Sequence, residues 1–144
     1  MLEKLGAASL ELVQCWLQRV DGIKLRPVLD LSKATSADDA DAVDQHDPPE
    51  WMRQLVILRD GTCVFPGCTV DARRCDLDHT IPYVPMDEGG PPGQTNPANL
   101  TCLCRRHHRL KTFTGWSYKR AGPGTYEWTN PHGLTYTSRP IPTH

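Results

Sequence analysis

No stretch of this 144-residue chain approaches a run of ~20 apolar residues, so the sequence offers no membrane-spanning helix. The opening residues, Met1-Leu2-Glu3-Lys4-Leu5, lack a basic region followed by an apolar core, which argues against a secretory signal and for a cytoplasmic protein. Aromatic residues are sparse at 7%, and charged residues are ordinary at 23%. There is no internal repeat and no sign of a small-molecule cofactor. The net charge of −1 conceals a split between the two halves of the chain. Residues 1–50 carry ten acidic and five basic side chains, whereas residues 51–144 carry seven acidic and eleven basic. The basic back half fits a polyanion such as nucleic acid.

Cysteine is not scarce. Of six cysteines, five fall between Cys63 and Cys104, interleaved with histidine. With nothing to suggest export, metal binding is a better reading than a disulfide framework.

The chain divides by composition into three parts. In residues 1–31, Ser9 to Val20 forms a helix with Leu12, Trp16 and Val20 in one apolar stripe and Cys15 packed within it, and Ile23 to Leu31 reads as an irregular strand containing Pro27. Residues 32–47, rich in Ala and Asp, read as a flexible acidic linker. The third unit, 48–144, opens with Asp47 as N-cap, Pro48 in the first helical position and Glu50 completing a capping box. Trp51, Leu55 and Leu58 supply the apolar stripe of that helix, which Arg59-Asp60-Gly61 closes. A short strand follows at Leu77 to Ile81, then a loop from Met86 to Ala98, a return strand from Leu100 to Leu103 and a helix from Arg105 to about Phe113. After Gly115, Trp116, Tyr118, Tyr126, Trp128 and Tyr136 alternate with polar residues between turn signals, the pattern of a small antiparallel sheet or hairpin. The fold class is therefore α+β.

Cys63-x4-Cys68 and Cys104-x2-His107 have the spacing of a closed tetrahedral zinc site. Cys75 or Cys102 could substitute for one member, although core packing explains those two more simply. A two-stranded hairpin is marginal alone, and structural zinc contributes on the order of 10 kcal/mol to folding. Losing a ligand should therefore unfold the unit.

A second constellation shares the same helix. His108 points about 100° round the helix from His107, toward a different face. Asp78 offers a hard oxygen ligand and His108 an imidazole, leaving open positions that suit magnesium or manganese. His79 is placed to deprotonate water, since imidazole titrates near neutral pH. Asn99 can orient His79 or clamp the loop. Each residue also has a plainer reading, as a hydrogen-bonded pair, a turn residue or a surface residue, and their joint order is what carries the signal.

Asp78-His79, Gly89-Gly90 and Asn99-Leu100-x-x-Leu103-Cys104-x-x-His107-His108-x-x-Lys111 resemble the HNH endonuclease motif. The runs Arg59 to Cys68 and Arg74 to His79 resemble the repeat-encoded actinobacterial, especially mycobacterial, subfamily. The resemblance covers about residues 47–140 and includes His107 where many members place a fourth Cys. It implies a zinc-stapled ββα-metal (His-Me finger) fold and DNA as substrate. Asp78 and His108 would hold the catalytic divalent metal, His79 would be the general base and Asn99 the motif asparagine, with Cys63, Cys68, Cys104 and His107 on zinc. Arg26 to Leu31 resembles the end of the helical domain that precedes such nucleases, so residues 1–31 would be its remnant in a fragment or shortened reading frame. Mobile-element biology is suggested by family only.

Arg73, Arg74, Arg105, Arg106, Arg109 and Lys111 flank both motifs and are expected to track phosphates. Trp116, Tyr118, Trp128 and Tyr136 could stack on bases, but their alternation fits a sheet core better. His46, His132 and His144 carry no expected role. Two alternatives stand beside the nuclease: an inactive zinc-stabilised module that binds nucleic acid, and a structural zinc domain for protein contacts.

Overall fold

The computed structural model describes residues 42–140, together with Glu11, Gln14, Cys15 and Gln18. The chain divides into two compact units, Met1–Leu29 with His144 and Asp30–Thr143, and the long described segment lies in the second. The expected strand at 23–31 and most of the helix at 9–20 lie outside the described residues. Glu11, Gln14 and Cys15 are helical, and Cys15 is exposed rather than packed.

Helix α1 spans Glu50–Asp60. It starts later than the capping pattern suggests: Pro49 is the N-cap and makes no side-chain cap bond. Asp47 is drawn away, its Oδ1 lying 2.9 Å from His46 Nδ1. The buried stripe is also one residue out of step with the expected one. Met52, Leu55, Val56 and Asp60 face inward, while Trp51 is 48% exposed. Gly61, with φ of 66°, ends the helix and donates to Ile57 O.

The chain then turns through the Cys63–Cys68 knuckle and a short 3-10 turn at Ala72–Arg74 into β1, Asp76–His79. β2, Leu100–Leu103, pairs antiparallel with β1 in the register Asp76↔Leu103 to His79↔Leu100. Helix α2, Arg105–Thr114, follows at once and ends at Gly115 in the left-handed conformation, φ 74°. A separate three-stranded sheet closes the described chain: β3 (Ser117–Gly122), β4 (Thr125–Thr129) and β5 (Thr135–Ser138), in order β3-β4-β5. The expected hairpin therefore gains a third strand, because the Pro131-His132-Gly133 turn returns the chain onto β4, with Trp128 opposite Tyr136.

One apolar cluster joins these pieces. Met52, Val56 and Ile57 of α1 meet Leu100, Cys102 and Leu103 of β2 and the rings of Tyr118, Tyr126 and Trp128. Trp128 Nε1 donates to Val64 O at 2.9 Å, so the C-terminal sheet is bonded to the knuckle as well as packed on it. Within the cluster lies a buried ion pair, Arg59 Nε to Asp60 Oδ1 at 2.8 Å. Asp60 also accepts from Cys102 N and from the Tyr126 hydroxyl, and Arg59 donates to Pro97 O and Leu100 O. These two residues tie α1 to β2 and β4, well beyond the helix-ending role expected of them.

The acidic segment 32–47 is anchored at its described end. Val43 bridges Thr95, the Tyr83 hydroxyl donates to Asp44 O, and Gly93 N donates to Asp44 Oδ1. Residues 42–47 thus belong to the folded unit, correcting the expected linker boundary. No helix among the described residues is long and apolar enough to cross a membrane.

Candidate metal centre and adjoining histidine site

The sulfurs of Cys63, Cys68 and Cys104 and a ring nitrogen of His107 all lie within 4.8 Å of one another. The knuckle gives Cys63 and Cys68, the N-cap of α2, just after β2, gives Cys104, and the first turn of α2 gives His107. Gly67, with φ of 71°, makes the knuckle turn, and Cys68 N donates to Phe65 O at 3.0 Å. Phe65 stacks on the His107 ring at 3.8 Å and 12°, fixing its plane. His107 Nδ1 is then 3.5 Å from Cys63 Sγ and 3.3 Å from Cys104 Sγ. Two ligands on one tetrahedral zinc, with Zn–S ~2.3 Å and Zn–N ~2.0 Å, stand about 3.6 Å apart, so the donor set fits that ion.

Without a cation, the two knuckle cysteines are held as neutral thiols. Hydrogen bonding to Cys75 and burial push the Cys63 thiol well above its ordinary range. Burial, then the charge of Cys63, pushes Cys68 up to about 11. The buried thiols of Cys63 and Cys104 and the half-buried thiol of Cys68 would lose their protons to a bound cation. Cys75 and Cys102 are buried outside this cluster, as core residues.

The second group of residues stands at the other side of α2. Asp78 and His79 are each 7% exposed. Asp78 Oδ1 is 3.4 Å from His108 Nε2. Asp78 Oδ2 accepts from Lys111 Nζ and from the Tyr118 hydroxyl, both at 2.7 Å. His108 Nδ1 lies 3.0 Å from Asp76 Oδ2, which also receives Arg105. Burial opposes ionisation of Asp76, but the bonds from His108 and Arg105 override it and hold its carboxyl below the usual value.

His79 Nε2 is 2.8 Å from Thr95 Oγ1. The same hydroxyl lies 3.5 Å from His46 O, and the tautomer decides which of the two His79 ring nitrogens carries the proton. No described group bonds Nδ1. The rings of His46 and Tyr83 lie 5.2 and 5.6 Å away. Burial, then the neighbouring His46, lowers the His79 pKa to about 4, which corrects the expectation of near-neutral titration. The ring is neutral at physiological pH.

Asn99 does not touch His79. Its side chain accepts from Ile81 N and donates to Ile81 O and Gln94 O, so it clamps the two ends of the 80–99 loop. Among the six expected phosphate contacts, Arg74, Arg105, Arg106 and Arg109 are exposed. Arg73 bonds Gln54 Oε1, and Lys111 is committed to Asp78 and to His79 O, so the expectation fails for Lys111. Tyr118 and Trp128 are buried core, which rules out base stacking for both. Sequence reasoning missed Thr95, Tyr118, Asp76 and His46, since nothing in their spacing marks them.

Comparison with known proteins adds kinship without function. The chain is similar to uncharacterized protein Rv3776 of Mycobacterium tuberculosis (strain ATCC 25618 / H37Rv), 44% identical over 111 residues, which is 76% of this chain and 20% of that protein. It is similar to uncharacterized protein Rv2100 of the same strain, 43% identical over 111 residues, 76% of this chain and 19% of that protein. A more distant relative there is uncharacterized protein Rv1128c, 30% identical over 84 residues, 58% of this chain and 17% of that protein. The chain thus spans about a fifth of the length of the curated relatives it matches. No family model and no solved structure matches it.

Proposed function

We propose that residues 42–140 form an HNH-type nuclease domain of ββα-metal architecture that hydrolyses phosphodiester bonds of DNA. The observation that carries this reading is the 3.4 Å approach of Asp78 Oδ1 to His108 Nε2, with His79 next in the chain. Two ligands at ~2.1 Å from one ion stand about 3 Å apart on adjoining vertices, so these side chains fit a magnesium or manganese ion. When bound, the cation supplies charge neutralisation at the phosphoryl and leaving oxygens.

The remaining work falls to the chain itself. His79 takes the proton of the attacking water at Nδ1, and burial keeps it in the neutral form that a base requires. Thr95 bonds the opposite nitrogen, Nε2, and orients the ring. Asn99 holds the loop that carries Thr95. Arg74, Arg105, Arg106 and Arg109 follow the phosphate backbone without sequence choice. Zinc at Cys63, Cys68, Cys104 and His107 fixes the start of α2, and with it His108.

One observation favours the second reading, a nucleic-acid-binding module without cleavage: Lys111 already neutralises Asp78 at 2.7 Å. Nicking of supercoiled plasmid by the zinc-loaded chain separates the two. The nuclease reading expects nicks with manganese or magnesium and none in Asp78→Ala. Binding without nicks under any divalent metal would replace it with the second reading.

A further inference from the structure

Both oxygens of Asp78 have a defined partner, and the partners differ in kind. Oδ2 takes two donors at 2.7 Å, Lys111 Nζ and the Tyr118 hydroxyl, while Oδ1 faces His108. Two donors occupy the lone pairs of Oδ2 and leave those of Oδ1 for a cation. Lys111 alone is a poor anchor, because its ammonium sits on a flexible four-carbon stem. Tyr118 is not. Its ring stacks on Trp128 at 4.4 Å and 20°, it is 7% exposed, and its hydroxyl also meets Thr101 Oγ1. Thr101 stands opposite Asp78 in the β1–β2 register. The ring is thus held by the C-terminal sheet and the hydroxyl by both strands of the β1–β2 sheet.

We propose that Tyr118, carried by the C-terminal sheet, is a positioning residue for Asp78: it pins one carboxylate oxygen so that the other stays directed at His108 and at the divalent cation they share. The sheet is then a working part of the site. Asp76 plays the matching part for His108, holding Nδ1 so that Nε2 faces Asp78. Partners of this kind, one bond behind a ligand, change metal affinity by about 10–100-fold when removed. The inference rests on the nuclease reading of Asp78 and His108.

The test is a manganese titration followed by electron paramagnetic resonance on the zinc-loaded 144-residue chain, comparing wild type with Tyr118→Phe. The substitution removes one hydroxyl and changes no charge. The expected result is manganese binding weakened about tenfold or more, with zinc content unchanged, and kcat for plasmid nicking reduced while KM for DNA stays put. If Tyr118→Phe does not fold, Thr101→Val loosens the same hydroxyl from β2, and weaker manganese binding is expected there too. Unchanged manganese affinity in folded Tyr118→Phe, whatever its melting temperature, overturns the positioning role alone. Absence of manganese binding by wild type overturns the assignment of Asp78 and His108 as cation ligands, and the inference with it.

Discussion

Asp60 shows how far one residue's role can lie from its local signal. In sequence it follows Arg59 at a helix end. In the fold it is 1% exposed and bonds Arg59, Cys102 N and Tyr126. Removing one partner of a buried ion pair leaves the other charge uncompensated, at about 3–5 kcal/mol. Asp60→Ala should therefore lower unfolding free energy by about that amount, read from a urea titration, whereas exposed Trp51→Ser should change it by about 0.5 kcal/mol or less. The cluster residues were legible because their chemistry is rare and their spacing narrow: Cys63, Cys68, Cys104 and His107 meet in one group that could hold a metal such as zinc. Thr95 and Tyr118 were not, because a hydroxyl's partner is decided by tertiary approach across 16 and 40 residues of chain.

At the scale of elements, α2 is unusual in having no buried residue. Phe113 is 72% exposed, and the sequence Arg105 to Thr114 offers no apolar stripe to the core. A ten-residue helix is marginal in isolation and ordinarily depends on packing. Here ligands and polar contacts replace packing: Cys104 and His107 on one side, His108 and Lys111 against β1 on the other. Zinc's ~10 kcal/mol is comparable to the whole stability of a domain, ~5–15 kcal/mol. Cys63→Ser, or chelation of wild type, should thus abolish cooperative unfolding and reduce helical circular dichroism. A chelated protein that kept its melting transition would contradict a structural metal. Element types were readable from periodicity and turn residues. The errors lay where neighbours decide: the α1 stripe is set by which face β2 meets, and β5 by a return onto β4 that alternation alone cannot show.

At the scale of the molecule, charge separates by sequence half, and the exposed basic residues Arg74, Arg105, Arg106 and Arg109 flank the site. If three or four of them meet phosphates, log affinity for duplex DNA should fall with log salt at a slope of about −3 to −4. A flat response in filter binding or anisotropy would remove the phosphate-tracking role. The boundary at residue 48 was misplaced because Ala42 to Asp47 carries no apolar signal, yet its backbone joins the 80–99 loop. We propose that two ion sites share α2, one holding the helix and one serving hydrolysis beside His79. The deciding measurement is the single-turnover rate of plasmid nicking by zinc-loaded His79→Ala, against wild type at equal zinc content and melting temperature. A loss of about 10²–10⁴-fold is expected in the variant. Equal rates in the two proteins, or no manganese-dependent cleavage by wild type, would contradict it.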